Sequence, residues 1–283
     1  MRVLHKQAVA LLAAVGIGAG VGLWNPGSGA DEELIFISVG QGDCTAIKEG
    51  ASAVLIDVGP KDEFTDAGER YVVPALRRYG VQAVSLIVLT HPDLDHTGGL
   101  SALHSHFPDA KVAISDQFRS YKKLQDQLRS ANIPSESVTW LPHESSFDFG
   151  NAQLRVFAPP WREGRNDNEG SLLMLVQQGA GRAVVTGDAD QGAEKMALQD
   201  GNWKADVMHC GHHGSRTATG DEWLKAVAPR IAVISCGRNN RYGHPHAAVL
   251  RKLEAARVPV LRTDEQGDIV MTPGSNGYDV RGK

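Results

Sequence analysis

Short apolar runs rich in β-branched residues alternate with helical patterns along most of this chain, and the same order occurs twice. Such runs, when bounded by Gly or Pro, are typical of β-strands. In the first half they predict strands at Leu34–Val39, Thr45–Lys48, Ala53–Asp57 and Val84–Leu89. Apolar residues at helical spacing predict helices at Tyr71–Tyr79, Leu100–His106 and Tyr121–Ala131.

The second half repeats this order of elements. Strands are predicted at Gln153–Ala158, Leu172–Gln178, Ala183–Thr186, Val207–Met208 and Ile231–Ser235, and helices near Gln191–Leu198, Asp221–Ala228 and Ala247–Ala256. Two last strands, Val258–Arg262 and Asp268–Thr272, are expected to form a hairpin across Asp264–Gly267. The alternation predicts a layered α/β (α+β) fold with sheets inside and helices outside, as one domain of two similar halves over residues 31–283.

The first thirty residues differ from the rest of the chain. A basic start with Arg2 and Lys6 precedes an uncharged run from Ala8 to Leu23, which is shorter than the roughly 20 apolar residues of a membrane-spanning helix. A small-residue cleavage pattern ends at Ala30. Residues 1–30 are therefore predicted to be a cleaved signal peptide or an uncleaved anchor, and both interpretations place the domain outside the cytoplasm, touching membrane only through this segment.

Composition excludes several classes of protein. With 42% hydrophobic and 22% charged residues, the 283-residue chain can bury a core, so it is neither disordered nor fibrous. The 29 basic and 33 acidic residues give a net charge of −4, which implies no stable nucleic-acid partner held by an overall basic field. Three cysteines without CxxC spacing leave at least one thiol free within a chain, and Cys210 is expected to be a small buried thiol.

The strongest chemical signal directly follows a predicted buried strand. The segment HPDLDH holds four potential metal ligands, which are His91, Asp93, Asp95 and His96. A strand-end loop can present His91 with Asp93 to one ion and Asp95 with His96 to another, so the segment predicts two metals. The alternative is a charged, solvated loop, or a helix cap in which Asp95 and Thr97 cap the helix that follows.

Two further motifs carry ligands. In VVTGDAD, Asp188 follows an apolar strand and a glycine, from which it can reach out and bridge two ions, whereas Asp190 is expected to cap a helix. In GHHGS, His212 and His213 lie between glycines that let the backbone approach closely. Neighbouring rings cannot point the same way, so one histidine is predicted to be a ligand and the other to contact a ligand or the substrate.

A fourth segment, RNNRYGHPH, is basic and contains two histidines two residues apart. It carries Arg238, Arg241, His244 and His246. Such a loop suits the stabilisation of an anionic charge that develops during a reaction.

These motifs, in this order, together with VGQGDCTAI, LIDVG and NDNEGSLLMLV, resemble the metallo-β-lactamase superfamily. Within it they are similar to the extracytoplasmic hydrolase domain of ComEC-type competence proteins. The resemblance covers Leu34 to Thr272, nearly all of the chain after the first thirty residues. It implies a four-layer αββα sandwich with a two-metal site at one edge of the sheets, which catalyses hydrolysis.

The resemblance also implies a role for each motif residue. It assigns His91 and Asp93 to the first metal, Asp95, His96 and His213 (or His212) to the second, and Asp188 to the bridge between them. Asp57 in LIDVG would orient a ligand without binding metal. Asp95 is also expected to take part in catalysis.

Two departures from the wider superfamily concern the first metal. Asp93 stands where most members carry a histidine, and Asn166–Asn168 offers no histidine as a third ligand. The site is therefore richer in oxygen, which favours Mn²⁺ alongside Zn²⁺, and two divalent ions of these kinds are predicted. Asn168 is assigned to the surroundings of the metals or to substrate contacts.

The predicted function is that of an exported, stand-alone metallohydrolase, a phosphodiesterase or nuclease-like enzyme that uses a metal-activated water. His244 or His246 would protonate or hydrogen-bond the departing oxygen, and Arg238 or Arg241 would neutralise the phosphate. One alternative is a lactam, amide or thioester metallohydrolase. Another is a catalytically degenerate module that binds metal or DNA for a partner.

Overall fold

The computed structural model describes residues 32–281. The predicted signal peptide or anchor at residues 1–30 lies outside the described residues, and the export of the chain stays a prediction. Between residues 32 and 281, no helix is long and apolar enough to cross a membrane.

Two β-sheets form the centre of the molecule. The first sheet contains β1 (Glu32–Phe36), β2 (Thr45–Glu49), β3 (Ser52–Ile56), β4 (Ala83–Val88), β5 (Lys111–Ser115) and β6 (Val138–Leu141). The second contains β7 (Glu144–Phe149), β8 (Ala152–Phe157), β9 (Leu173–Gln178), β10 (Gly181–Val185), β11 (Val207–His209), β12 (Ile231–Ile234) and β13 (Val260–Arg262). The chain then returns to the first sheet with β14 (Ile269–Gly274) and β15 (Gly277–Val280).

The connections between strands contain the helices. These are α1 (Val73–Arg78), α2 (Leu94–Thr97), α3 (Leu100–His106), α4 (Lys122–Ser130), α5 (Gln191–Asp200), α6 (Gly211–Gly214), α7 (Asp221–Val227), α8 (Ala247–Ala255) and α9 (Thr263–Gln266). In the first sheet, β1 to β3 are antiparallel and β3 to β6 run parallel. In the second sheet, β7 to β10 are antiparallel and β10 to β13 run parallel, so the two halves share one plan.

Three apolar clusters show how the layers pack. Leu34 of β1 and Met174 of β9 belong to a cluster between the two sheets. Ile35, on the opposite face of β1, packs in a second cluster with Leu76 of α1, and Trp223 of α7 belongs to a third cluster outside the second sheet. Strands that are apolar on both faces are typical of sheets covered on both sides. The fold is therefore the predicted four-layer αββα sandwich.

The predicted hairpin near the end of the chain is wrong. β13 runs parallel to β12 in the second sheet, whereas β14 pairs antiparallel with β1 in the first sheet, and α9 connects them. Met271 lies opposite Leu34, and both are buried between the sheets. This partner comes from the start of the chain, which a local pattern cannot reveal. The true hairpin joins β14 to β15. Strands β5, β6, β7 and β15 were not predicted from the sequence.

The cysteines behave as buried core residues. Cys44, Cys210 and Cys236 are buried and none of them forms a disulfide within residues 32–281. Burial raises the pKa of the Cys210 thiol to about 12, so this side chain is an inert apolar group, as predicted.

Glu194 of α5 links stability to pH. It is 1% exposed, and its carboxylate accepts the backbone N–H groups of Thr219 and Gly220 at 2.7 and 2.8 Å. Burial raises its pKa from 4.5 to about 7. Between these two pKa values, Glu194 of the folded chain holds a proton that the unfolded chain has released. Protonated Glu194 therefore stabilises the folded chain at low pH, and this stabilisation is lost as the pH rises through 7.

Between pH 5 and 8, we expect the unfolding free energy of the native chain to fall by about 2–3 kcal/mol more than that of Glu194→Gln. Urea unfolding at several pH values measures both slopes, and the variant controls for every other titrating group. Equal slopes for the two proteins would contradict this assignment.

Candidate metal centre

The parallel strands of both sheets bring polar side chains to one edge of the sandwich. Asp57 follows β3, His91 follows β4, Asp188 follows β10 and His213 follows β11. The carboxyl ends of parallel strands are where open α/β sheets collect their functional loops. Nε2 of His96, in the loop after β4, lies 3.1 Å from Oδ1 of Asp188, so the loops of the two sheets meet there.

Four side chains from these loops form a compact cluster, here called the second position: Asp95, His96, Asp188 and His213. Their ligand atoms all lie within 4.8 Å of one another. Nε2 of His213 lies 3.3 Å from Oδ2 of Asp95 and 3.7 Å from Oδ1 of Asp188. Three of the four residues are buried. Two imidazoles and two carboxylates therefore converge at a point largely shielded from water.

The unpartnered atoms of this cluster fit a divalent ion. Within residues 32–281, Nε2 of His96 and Oδ1 of Asp188 are buried and have no hydrogen-bond partner. Such atoms are costly unless a ligand satisfies them. Ligand atoms at about 2.0–2.2 Å from a tetrahedral ion are about 3.3–3.6 Å apart. The observed separations of 3.1, 3.3 and 3.7 Å bracket this range.

The sequence around α2 explains how Asp95 and His96 reach the cluster. The helix lasts one turn and is followed by Gly98, where a Cβ would lie 2.2 Å from the backbone nitrogen of Lys61. Only glycine lets the loop pack so closely on the segment after β3. The capping alternative is wrong, because Asp95 lies within α2 and the Thr97 hydroxyl donates to a backbone carbonyl one turn earlier.

Asp57 fixes the ring of His96. Its Oδ2 lies 2.7 Å from Nδ1 of His96, and its two oxygens also accept the backbone N–H and the hydroxyl of Thr90, each at 2.8 Å. A carboxylate on Nδ1 places a ring proton there and leaves Nε2 as the nitrogen that faces the cluster. Burial raises the pKa of Asp188, but His96 and His213 outweigh burial and hold this pKa well below its usual range, so the carboxylate is ionised.

The backbone of α6 separates the two neighbouring histidines. His212 and His213 have φ values of 53° and 54°, so both are left-handed and their rings diverge. Nδ1 of the buried His213 lies 3.0 Å from the carbonyl oxygen of Ser235, which leaves Nε2 for the cluster. The His212 side chain is 26% exposed, and its Nδ1 bonds the Thr217 hydroxyl at 3.1 Å. The geometry therefore favours His213 as the ligand.

Asp43 is a buried carboxylate beside His213 that was not predicted from the sequence. Its Oδ1 lies 3.2 Å from Nδ1 of His213 and 3.5 Å from Nε2 of His209. Burial raises the pKa of Asp43, but these two histidines outweigh burial and hold it well below its usual range. A signal was present, because Asp43 follows a glycine after an apolar strand, as Asp188 does.

Asp188 faces two groups of side chains with its two oxygens. Oδ1 faces His96 and His213, whereas Oδ2 lies 3.5 Å from Nε2 of His212 and accepts Nδ2 of Asn168 at 3.5 Å. Asn168 thus lies at the site, next to His212. Oδ2 therefore contacts side chains other than the ligands of the second position, and the bridge from Asp188 to the first position stays a prediction.

His91 and Asp93 mark the other position, here called the first position. Nε2 of His91 is buried, has no hydrogen-bond partner among the described residues, and lies 3.4 Å from Oδ2 of Asp93. The ring centroids of His91 and His96 are 4.3 Å apart, so the two positions adjoin.

Lys123 of α4 reaches the first position, which the sequence did not indicate. Its ammonium bonds Oδ1 of Asp93 and, at 2.8 Å, Oδ2 of Asp167. Burial lowers the pKa of Lys123, but Asp167 and Asp93 outweigh burial and raise it, so the amine is charged. No local pattern in α4 could reveal this contact with a loop from another part of the chain.

The two histidines of the YGHPH loop lie beside the cluster. The ring centroid of His244 is 5.5 Å from that of His212 and 6.1 Å from that of His213, and the His246 ring lies 4.8 Å from His244. Burial, together with the neighbouring histidines, lowers the pKa of His244 to about 4. His244 is therefore a neutral imidazole at pH 7.

The two arginines of the same loop form hydrogen bonds outside the cluster. Arg238 bonds the carbonyl oxygen of Asp264 at 2.9 Å, and Arg241 bonds the hydroxyl of Tyr242 at 2.7 Å. Both arginines are exposed. The structure does not bring either guanidinium into the cluster, and their expected role at a phosphate stays a prediction.

Comparison with known proteins assigns the chain to a superfamily. Residues 37–238 match the family model of the metallo-beta-lactamase superfamily. The chain belongs to this superfamily. Within it, the chain is similar to competence proteins of the ComEC type, as the following relatives show.

The chain is 31% identical over 254 residues to ComE operon protein 3 of Bacillus subtilis, covering 85% of this chain and 33% of that protein. It is 28% identical over 240 residues to Competence protein ComA of Neisseria gonorrhoeae, covering 84% of this chain and 32% of that protein. The chain therefore spans about a third of the length of these relatives.

A solved structure shows the same fold. The metallo-beta-lactamase fold protein YhfI from Bacillus subtilis superposes with a TM-score of 0.51 at 12% identity, covering 82% of this chain and 96% of that chain.

Proposed function

We propose that this chain is a metal-dependent hydrolase that cleaves phosphodiester bonds in a nuclease-like reaction, with Mn²⁺ or Zn²⁺ as its cofactor. The observation that carries the proposal is the placement of Asp188, whose Oδ1 faces His96 and His213 of the second position while its Oδ2 faces His212 and Asn168. A carboxylate shared by two ions is typical of sites that clamp the attacking and leaving oxygens of an in-line displacement.

Residues of both positions would hold the ions. Asp95, His96, His213 and Oδ1 of Asp188 form the second position, and His91 with Asp93 forms the first. Divalent ions bound there would supply Lewis acidity and lower the pKa of a bound water. The oxygen-rich first position supports Mn²⁺ beside Zn²⁺.

The surrounding histidines supply hydrogen bonds. His244 is neutral at pH 7, so it suits the donation of a hydrogen bond to the departing oxygen better than the role of a charged imidazolium. Nε2 of Gln41 lies 3.4 Å from Nδ1 of His244 and can hold the ring. Nδ1 of His246 accepts the backbone N–H of Arg216 at 3.1 Å, which leaves its Nε2 for a substrate oxygen.

Two considerations support a phosphodiester over a lactam. The first position contains one histidine where a lactam-hydrolysing site is expected to be richer in histidine. The similarity to a competence protein supports DNA as the first polymer to test. With a net charge of −4, the chain would meet a polyanion through its ions and the local basic loop rather than through an overall field.

The test is a substrate panel assayed on the metal-stripped chain with Mn²⁺ or Zn²⁺ added back. It compares bis-p-nitrophenyl phosphate and linear DNA with a chromogenic cephalosporin and a thioester. We expect turnover of the two phosphodiesters, stimulated by Mn²⁺ and abolished by a chelator. Turnover of the cephalosporin or thioester alone would assign the lactam or thioester alternative, and ion binding without any turnover would assign a binding module.

A further inference from the structure

Lys123 places a cation at the first position. Its ammonium bonds one oxygen of Asp93, while the other oxygen of Asp93 lies 3.4 Å from Nε2 of His91. The same ammonium bonds Asp167, whose side chain is 8% exposed. Lys123 thus joins two carboxylates directly beside the place where an ion would sit.

The two positions differ in charge because of this lysine. Within residues 32–281, no lysine or arginine makes a recorded ion pair with Asp95 or Asp188 of the second position; their ion-pair partners are histidines. The first position has a single histidine, and its carboxylate is already neutralised by an ammonium. A fixed positive charge within a few ångströms of a divalent ion repels it strongly in a partly buried site.

A free hydrogen-bond acceptor remains beside Lys123. Oδ1 of Asp167 is buried and has no hydrogen-bond partner among the described residues. Without the ammonium, Asp93 would present an unpaired carboxylate next to the unpartnered Nε2 of His91, and the nearby Asp167 carboxylate would lose its cation. Such an oxygen-rich set with one imidazole suits Mn²⁺.

We propose that Lys123 controls occupancy of the first position, acting as a built-in competitor of the first ion. The chain then binds one divalent ion tightly at the second position and another only weakly, when the ion shares Asp93 with the ammonium. This inference rests on the proposed metal-dependent function, and it makes Lys123 a positioning residue that sets how many ions the centre holds.

The experiment is a Mn²⁺ titration of the metal-free full chain. Calorimetry measures the affinities, and electron paramagnetic resonance monitors the bound Mn²⁺. The native chain is expected to show one tight and one weak ion. Lys123→Gln is expected to tighten the weaker ion by on the order of 10- to 100-fold and to show the spectrum of a coupled Mn²⁺ pair at lower Mn²⁺ concentration. Lys123→Arg keeps the charge and is expected to behave as the native chain does.

Lys122→Gln is the matched control. Lys122 is the neighbouring residue, carries the same charge, and pairs with Asp126 on the exposed face of α4. It is expected to leave both affinities unchanged, and thermal unfolding of each variant confirms that it is folded. If Lys123→Gln does not fold, Asp167→Asn provides the test. This variant leaves the ammonium to Asp93 alone and is expected to weaken further the ion at the first position.

Two results would overturn the inference. One is a native chain with two ions of equal affinity, and the other is a Lys123→Gln affinity within twofold of the native value. Failure of the proposed function is distinguishable, because a chain that binds Mn²⁺ without cleaving phosphodiesters would still show the tight and the weak ion. Absence of Mn²⁺ binding at the second position of the native chain would contradict both proposals.

Discussion

Asp188→Asn is expected to abolish tight binding of divalent ions and to reduce phosphodiester cleavage by more than the roughly 10- to 100-fold that is typical of losing an outer partner of a ligand. The substitution keeps the shape of the side chain and removes its charge. Oδ1 of Asp188 lies 3.1 Å from Nε2 of His96, so the second position loses a charged ligand. Plasma mass spectrometry of the purified variant measures the metal content directly.

Asp190→Asn is the matched control for this change. Asp190 lies two residues further along, caps α5 and accepts the N–H of Ala193 at 2.9 Å. Asparagine is also a good cap, so the variant is expected to lose less than about 1 kcal/mol of stability and none of its metal. A metal-loaded, active Asp188→Asn protein would contradict the proposed centre.

The second large effect is expected from His213→Ala. Nε2 of His213 is one of two imidazole nitrogens at the second position, and Asp43 lies 3.2 Å from its other nitrogen. Removal of the ring deletes a ligand and leaves the Asp43 carboxylate buried without this partner, which is strongly destabilising. We expect loss of the tight ion and a fall in activity of more than about 100-fold.

His212→Ala separates the ligand from its neighbour. His212 is partly exposed and lies on the opposite side of Asp188 from His96. This variant is expected to keep one tight ion per chain while losing activity to a smaller extent. Metal content and turnover are measured in parallel for both variants. The reverse result, with metal lost from His212→Ala and kept by His213→Ala, would exchange the two roles.

Much of the fold could be predicted because the strands are apolar on both faces. Leu34 and Ile35 are neighbours in sequence and lie in different apolar clusters, so the run reads as a buried strand. β7 was missed because alternate residues of its ESSFDF sequence are exposed and polar. The position of β14 depends on its pairing with β1, and no local pattern carries that information.

The same contrast holds for the site. Asp57, His91 and Asp188 lie within three residues after apolar strands, so their sequence context indicated a loop at a sheet edge. Lys123 reaches the site from an amphipathic helix, and its role depends on contacts with Asp93 that exist only in the folded chain. Spacing therefore predicts the candidate ligands, whereas the residues that set the charge around them are found only from three-dimensional packing.

The most direct test of the metal centre is a crystal of the Mn²⁺-loaded chain, with anomalous diffraction recorded above and below the manganese edge. We expect a manganese peak at about 2.0–2.3 Å from the ligand atoms of the second position, within the range of metal–ligand bonds. No peak there, or a peak only at the separate group formed by His143, Glu144 and Asp200, would contradict the assignment.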